Sequence, residues 1–419
     1  MNGFTLIFLS FLLTTTVIHL WLAGRQRSNA LRHRHQVPEP FHDQISLAVH
    51  RKAADYTSAK MRFEQADTIV GALLVLGWTL GGGLNVLAGW WTNSGWGAIA
   101  AGTALMISAL LLMALLDMPM NVYRTFVVEA KFGFNRTTPA LYLTDTLKQG
   151  FIFLLLGTPL IALLLWLITH AGARWWLYGW IVWEIFTLTL IWLYPTLIAP
   201  LFNRFLPLQD EALRARIINL LQRCGFASGG IFVMDGSKRS QHGNAYFTGF
   251  GAHKRIVFFD TLLKSLQPDE IEAVLAHELG HFKHGHVRKR LVLMALVSLA
   301  AFALLGTLID AEWFLAGLGV QHSSHAGALL LFLLVTPYFS AVLQPLSSYW
   351  MRKHEFEADD FAAAQTDAHN LIHALVKLYE ENAASLTPDR LYSAYHDSHP
   401  PAPVRISHLT AKLAAQSAP

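Results

Sequence analysis

Cysteine is the scarcest residue in this chain, because Cys224 is the only one. A single cysteine excludes an intrachain disulfide and a zinc site built from several cysteines, and it is compatible with the reducing side of a membrane. We expect Cys224 to be an inert, buried side chain.

Charged residues are also scarce. Asp, Glu, Lys and Arg make up 14% of the 419 residues, and 53% are hydrophobic, whereas soluble domains carry about 25% charged residues. This composition excludes an ordinary soluble protein and predicts a membrane protein. The net charge of +4 fits basic loops that face anionic lipid. Since no arm is rich in Lys and Arg, we expect no nucleic-acid partner.

Seven apolar segments are long enough to cross a bilayer. Basic residues follow the first segment instead of preceding it, which favours a retained anchor over a cleaved signal peptide. Nearly all Lys and Arg lie in the loops after segments one, three and five and in the C-terminal tail, so the positive-inside rule places the N-terminus outside and the C-terminus in the cytoplasm. The segments lie at about residues 4–23, 69–91, 96–116, 149–169, 175–195, 291–308 and 326–350.

The polar stretch between the fifth and sixth segments contains a metal-binding motif. Residues 277–281 read His-Glu-Leu-Gly-His. Because residues four apart lie on one face of a helix, His277 and His281 can bind one metal ion. The adjacent Glu278 makes the pattern specific, since it is the general base in the H-E-x-x-H signature of zinc peptidases.

A hydrolytic zinc needs three protein ligands and one open position for water. After the last segment, Glu355 and Asp359 share a helix face, so that one can bind the metal while the other accepts a hydrogen bond from a ligand histidine. Glu357 should face another direction. We expect His284 and His286 to be surface or supporting groups, not ligands.

Two short strands are predicted at residues 244–250 and 255–260, with a glycine-containing turn between them. A strand edge beside a catalytic helix can bind an extended peptide, and simple hairpin packing is an equal alternative. Within the fifth segment, Glu184 should face the bundle interior or a watery cavity, with structural pairing and a cavity role both open. Asn85 lies in a glycine-rich stretch that we attribute mainly to helix packing.

The sequence resembles a known family, the type I CAAX prenyl endopeptidases, which are integral-membrane zinc metalloproteases of the gluzincin type. The resemblance extends over nearly the whole chain. It rests on residues 55–60, 123–126, 132–135, 200–203, 234–240, 244–246, 277–281 and 355–359, and on His399-Pro400 with Arg405.

This resemblance implies a mainly α, polytopic membrane protein. Seven transmembrane helices would surround a large intramembrane chamber, capped by a zincin-like metalloprotease domain with a small β-hairpin. We expect transmembrane helices one to five and two cytoplasmic loops in residues 1–198, and helices six and seven in 291–350. The two parts of the metalloprotease domain would be residues 199–290 and 351–419.

The resemblance also implies a role for each site residue, and one Zn²⁺ per chain as the cofactor. The implied zinc ligands are His277, His281 and Glu355, and Asp359 supports a ligand histidine. The implied catalytic residues are Glu278 as the base, with His399 and Arg405 contacting the substrate or the developing oxyanion. The implied substrate-binding residues are Asn244, Ala245 and Tyr246.

We therefore expect a zinc metalloendopeptidase that acts near the membrane and removes the C-terminal tripeptide of prenylated substrates. Its partners would be a peptide or prenylated protein and the lipid bilayer, and we expect a monomer. We expect a bacterial inner membrane, or the endoplasmic reticulum if the source is eukaryotic, with the site on the cytoplasmic side. The alternatives are a bacterial quality-control protease for membrane proteins and a non-catalytic transporter or lipid-binding protein.

Overall fold

The first half of the chain forms long apolar helices. A computed structural model describes residues 2–248, 255–321 and 324–416, and the fold is mainly α-helical. Apolar side chains cover most faces of these helices, as a lipid environment requires. They are α1 (Gly3–Arg32), α2 (Leu47–Trp78), α3 (Gly83–Thr92), α4 (Ala98–Tyr123), α5 (Pro139–His170) and α6 (Trp175–Leu193).

A mixed α/β region follows. Its strands form one four-stranded sheet, and its last helix carries the H-E-x-x-H motif. The elements are α7 (Ala199–Phe202), β1 (Phe205–Pro207), α8 (Glu211–Cys224), β2 (Ile231–Met234), β3 (Ala245–Thr248), β4 (Arg255–Phe259), α9 (Asp260–Ser265) and α10 (Pro268–Lys283).

The remaining elements are helical. The first four of them return the chain through the apolar region, the fifth and the seventh pack on the sheet side, and the sixth packs against the fourth. They are α11 (His286–Leu308), α12 (Glu312–Gly317), α13 (His325–Ser340), α14 (Gln344–Gln365), α15 (Ala368–Glu381), α16 (Arg390–His396) and α17 (Ala402–Gln416).

Six helical segments of the described chain are long and apolar enough to cross a membrane, and α2 with α3 forms a seventh candidate that is bent by 44°. The prediction of seven spans therefore agrees with the structure, and the second predicted segment, at about residues 69–91, contains a break. The break between Trp78 and Gly83 includes Gly82, whose φ of +80° favours glycine. Asn85 stabilises this bend, because its side chain bonds the carbonyl of Gly319 and the amide of Gln321.

The sheet has the order β1-β2-β4-β3. β3 and β4 pair antiparallel, which confirms the predicted strand pair, while their turn lies outside the described residues. β2 runs parallel to β4, and β1 pairs antiparallel with β2. These two strands were not predicted. β3 is consequently an edge strand of the sheet.

The core beneath the sheet fixes the position of α10. Ile217, Ile256, Phe258 and Leu275 are each at most 1% exposed and belong to one hydrophobic cluster that joins α8, β4 and α10. Cys224 is a free, buried member of the same cluster, as predicted. Because interiors are close-packed, this contact holds the motif helix at a defined depth.

Helix α10 approaches α14 closely at Gly280. A Cβ atom at this position would lie 2.9 Å from the Cα of Ala358, which is closer than real Cβ atoms come to a neighbouring backbone. Glycine therefore allows the two helices to meet directly beside the metal motif. Helices α10 and α14 are thus far apart in the sequence but in direct contact in the structure.

Glu184 on α6 lies against α11. Its carboxylate accepts a hydrogen bond of 2.7 Å from the hydroxyl of Ser298. The sequence left open whether Glu184 pairs with another helix or has a role in a cavity, and the structure contains the pairing. Ser298 also lines a cavity described below.

Candidate metal centre

The N-terminus of α10 is well anchored. Pro268 occupies the first helical turn, and the backbone N–H of Gln267 donates to Glu270 in a capping box at 2.7 Å. Glu270 also pairs with Lys377 on α15 at 2.7 Å. Because the helix is fixed at this end and packed along its length, the orientation of His277 and His281 is defined.

The two motif histidines and Glu355 converge on one point. The Nε2 atoms of the two histidines lie 3.3 Å apart. Glu355 Oε2 lies 3.4 Å from His277 Nε2, and Glu355 Oε1 lies 3.3 Å from His281 Nε2. These three donors all lie within 4.8 Å of one another, and the described residues contain no second cluster of this kind. The spacing therefore suits a single metal ion.

The fit of a metal ion can be tested on Glu355 itself. Its Oε2 atom is buried and has no hydrogen-bond partner among the described residues, and an unpaired buried polar atom is costly. A cation between the three side chains would satisfy this oxygen. Two imidazoles with one carboxylate form a donor set that zinc accepts in catalytic sites.

Asp359 lies behind His277. Its Oδ1 accepts a hydrogen bond of 2.8 Å from His277 Nδ1, and Oδ2 accepts one of 2.8 Å from Arg405 Nε. A second guanidinium nitrogen contacts Oδ1. The sequence left open which of Glu355 and Asp359 faces the metal, and the geometry puts Glu355 with the histidines and Asp359 behind them.

The electrostatic environment of His277 favours positive charge. Burial and the nearby Arg405 lower the pKa of His277, but the carboxylates of Asp359 and Glu355 outweigh both and raise it to about 9. A site that stabilises an extra positive charge on an imidazole also favours a metal cation.

Glu278 lies beside the donor cluster on α10. Burial raises the pKa of its carboxyl group, and the two neighbouring histidines act in the opposite direction. A carboxylate with a raised pKa binds a proton more readily near neutral pH, which suits a general base.

His399 and Arg405 approach the cluster from the C-terminal region. His399 Nε2 lies 3.3 Å from Glu355 Oε1, and the His399 side chain is 66% exposed and lines a polar cavity. Partial desolvation at this position lowers the pKa of His399. Arg405 is 8% exposed and is largely engaged by Asp359. Contact of either residue with substrate stays a prediction.

The predicted substrate edge, Asn244 to Tyr246, lies at β3. Ala245 and Tyr246 pair with β4 on one side, and no strand covers the other side among the described residues. The ring of Phe247 packs at 5.3 Å from Phe282 of α10. The edge strand therefore runs beside the motif helix, and its binding of substrate stays a prediction.

His286 lies behind the centre, which agrees with the expectation of a supporting group, but its contacts with Glu357 and His281 were not predicted. Glu357 lies outside the donor cluster, as the helical spacing predicts, but its carboxylate is 2.9 Å from His286 Nε2. His286 Nδ1 lies 3.0 Å from His281 Nδ1. The glycine at position 285, with φ of +67°, turns the chain between α10 and α11 and was the available sequence signal.

One cavity reaches the centre at His399, and a second cavity lies beside the first. The polar cavity, of about 790 Å³, is lined by His399 together with Lys60, Glu129 and His242. The apolar cavity, of about 1200 Å³, lies between α4, α5, α6, α11 and α13. Arg239 lines both cavities. The side chains that line the apolar cavity include Met106, Phe153, Phe186, Phe302 and Phe332.

Arg239 is held in place at the border of the two cavities. Its guanidinium forms two hydrogen bonds with Asp145, of 2.8 and 3.0 Å, and a third of 2.7 Å with Asn203. Such a bidentate pair is geometrically specific. It gives the apolar cavity a polar end next to the polar cavity.

The chain is similar to known membrane proteases along its whole length. The family model described as CAAX prenyl protease N-terminal, five membrane helices, matches residues 26–204, and that of peptidase family M48 matches residues 207–413. A CAAX prenyl protease 1 homolog of Dictyostelium discoideum is 32% identical, with 99% of this chain and 98% of the relative covered. The Homo sapiens homolog is 31% identical, with coverage of 96% and 95%.

The fold has a solved counterpart as well. The crystal structure of S. mikatae Ste24p superimposes with a TM-score of 0.88 at 30% identity, covering 98% of this chain and 99% of that chain. Sequence and fold agree, and both include the membrane helices and the metal motif. The chain is therefore a multi-pass membrane metallopeptidase that belongs to peptidase family M48, among its CAAX prenyl proteases.

Proposed function

We propose that this protein is a zinc endopeptidase that removes the C-terminal tripeptide from prenylated peptides. The observation that carries the proposal is the convergence of His277, His281 and Glu355 beside Glu278, with His399 lying between Glu355 and the polar cavity that it lines. The names of the relatives support the substrate class.

In this proposal His277, His281 and Glu355 hold one zinc ion per chain. When bound, the zinc supplies a Lewis acid that favours deprotonation of water and polarises the scissile carbonyl. A ligand set of two imidazoles and one carboxylate leaves a position open for water. Asp359 fixes His277 in the tautomer whose Nε2 is free to coordinate.

The proton transfers are assigned to Glu278. As a carboxylate it accepts a proton from the attacking water, and it then delivers this proton to the leaving amine. Its raised pKa supports both steps, because the carboxyl group must gain and lose a proton near neutral pH. The neutral His399 can donate a hydrogen bond to the oxygen on which negative charge develops.

The substrate position follows from the two cavities. We assign the peptide to the polar cavity, next to His399, with its backbone along the edge strand β3. We assign the isoprenoid chain to the apolar cavity, whose volume of about 1200 Å³ exceeds the usual range of about 300–1,000 Å³ for small-molecule pockets. A prenylated cysteine would then lie near Arg239, where the cavities meet.

We further propose the cytoplasmic side for the active site, since basic loops flank the motif. Residues 199–290 and 351–419 would together form the metalloprotease domain, with residues 1–198 and 291–350 in the membrane. A monomer fits this arrangement, because one chain supplies every proposed ligand. The proposed membrane is a bacterial inner membrane, or the endoplasmic reticulum if the source is eukaryotic.

The cavity assignment predicts a preference for lipidated peptides. The catalytic efficiency for a farnesylated peptide should exceed that for the same peptide without lipid by on the order of 100-fold, since burial of even four carbons at about 0.8 kcal/mol each gives this factor. Ala301→Phe, which narrows the apolar cavity, should raise KM for the farnesylated peptide only. The catalytic efficiency and the KM for each peptide can be measured with the protein in nanodiscs, by mass spectrometry of the released tripeptide.

Ala162→Phe is the matched control, because Ala162 lines a different groove. It should leave both substrates unaffected. Equal efficiency for lipidated and unlipidated peptides, or an equal effect of Ala301→Phe on both, would move the lipid out of the apolar cavity.

A further inference from the structure

We infer that Glu357 and His286 act in series as positioning residues for His281. This inference rests on the metal site proposed above. The geometry points to a chain of two hydrogen bonds that begins at the Glu357 carboxylate, passes through the His286 ring and ends at His281. Its function is to hold His281 in the tautomer that coordinates the metal.

The distances define this chain. His286 Nε2 is 2.9 Å from Glu357 Oε2, and His286 Nδ1 is 3.0 Å from His281 Nδ1. The other nitrogen of His281, Nε2, faces His277 Nε2 and Glu355. Both nitrogens of His286 are thus engaged, one by an acceptor and one by the back of a proposed ligand.

Only one arrangement of protons satisfies all these contacts when a metal is present. His281 must leave Nε2 unprotonated in order to coordinate, so a neutral ring carries its proton on Nδ1. That N–H donates to His286 Nδ1, which must therefore be an acceptor. The proton of His286 then lies on Nε2 and donates to the carboxylate of Glu357.

The His286 ring is held rigidly in this orientation. Its side chain is 5% exposed, and the ring of His354 stacks on it with centroids 3.9 Å apart and an angle of 11°. His286 is the first residue of α11, directly after the turn at Gly285, and this backbone position places its ring behind His281. A clamped imidazole of this kind can transmit the orientation set by Glu357.

The two ligand histidines are therefore supported differently. His277 is bound directly by Asp359, and Arg405 neutralises that carboxylate. His281 is supported through an intervening imidazole, and within the described chain no Lys or Arg lies within 4.0 Å of Glu357. The charge of Lys289 acts on Glu357 from a longer distance, without an ion pair. A carboxylate behind a donor histidine makes that histidine more basic, and so strengthens its bond to a metal.

The test measures zinc affinity of the purified, metal-free protein by competition with a chromophoric chelator, without substrate. Loss of a partner behind a metal ligand weakens binding by about 10- to 100-fold. We expect this loss for His286→Phe and a loss toward the lower end for Glu357→Ala. His286→Gln should bind more tightly than His286→Phe, because an amide oxygen can accept the His281 proton.

A double-mutant cycle separates a relay from two structural effects. Because the groups act in series, His286→Phe with Glu357→Ala should bind zinc no more weakly than His286→Phe alone. His408→Phe is the matched control. It removes the 2.6 Å contact between His408 of α17 and Asp360 of α14, a pair that touches no proposed ligand. It should bind zinc as the wild type does.

Glu357→Ala tests the relay in a protein that should stay folded. Because Glu357 is 33% exposed, its loss should leave the melting temperature of the metal-free protein unchanged. Wild-type affinity in both single variants, or additive losses in the double variant, would overturn the relay while leaving the proposed function intact. A wild-type protein that binds no zinc would instead contradict the proposed function itself.

Discussion

Glu278→Gln should lower kcat for a farnesylated peptide by about 10²- to 10⁴-fold, the usual contribution of a general base. Glutamine has nearly the same shape but cannot accept the proton from water or return it to the leaving amine. Its neutral side chain does not remove a metal donor, so the variant should keep one zinc per chain. Peptide turnover and zinc content by mass spectrometry provide the two measurements.

The matched control is Glu272→Gln on the same helix. Glu272 is 14% exposed and pairs with Arg216 and Arg223 of α8, away from the donor cluster. Glutamine keeps an oxygen that can accept hydrogen bonds from both arginines. This control should cleave as the wild type does. Near-normal turnover in Glu278→Gln would remove Glu278 from the reaction, whereas loss of zinc would make it a structural support of the metal.

Asp359→Ala should destabilise the protein strongly, with a loss of about 3–5 kcal/mol, the usual cost of breaking a buried ion pair. Asp359 is 0% exposed and Arg405 is 8% exposed, so the substitution leaves a buried guanidinium without its main partner. It also frees the Nδ1 of His277. We expect a lower melting temperature of the metal-free protein together with weaker zinc binding.

The double variant Asp359→Leu with Arg405→Met separates these two effects. Replacement of both charges by apolar groups is often neutral for stability, so the melting temperature should recover. Zinc affinity should stay about 10- to 100-fold low, because His277 still lacks its acceptor. Asp269→Ala, which breaks an exposed pair with Arg216, should change neither quantity. A double variant that binds zinc normally would show that Asp359 has no role in positioning His277.

Helix periodicity explains why so much of the centre could be predicted. His277 and His281 lie on one face of α10, and Glu355 and Asp359 lie on one face of α14, because residues four apart repeat on a helix. An even number of spans between the two helices was also required. What periodicity could not decide is which carboxylate faces the metal, since that depends on how α10 packs on α14 at Gly280.

Contacts between elements account for the features that the sequence did not reveal. Glu357 lies away from Glu355 on α14, and its partner His286 arrives from α11 only because Gly285 turns the chain. The strands β1 and β2 have three and four residues, which is too short for an alternating pattern to be distinctive. The bend in the second span depends on a bond between Asn85 and a distant loop.

The position of the centre links catalysis to the membrane. α14 begins in the apolar region and ends in the metalloprotease part, so one continuous helix carries both membrane-facing residues and Glu355. The polar and apolar cavities meet at Arg239. A substrate with a peptide end and a lipid end therefore matches the arrangement of the protein around the site.

The most direct test of this account is mass spectrometry of the products from a farnesylated peptide, before and after removal of zinc by a chelator and its return. We predict that the purified protein releases the C-terminal tripeptide, that release stops in the metal-free protein, and that one equivalent of zinc restores it. Tripeptide release at an unchanged rate after complete zinc removal, or no release by the zinc-loaded protein, would contradict the account.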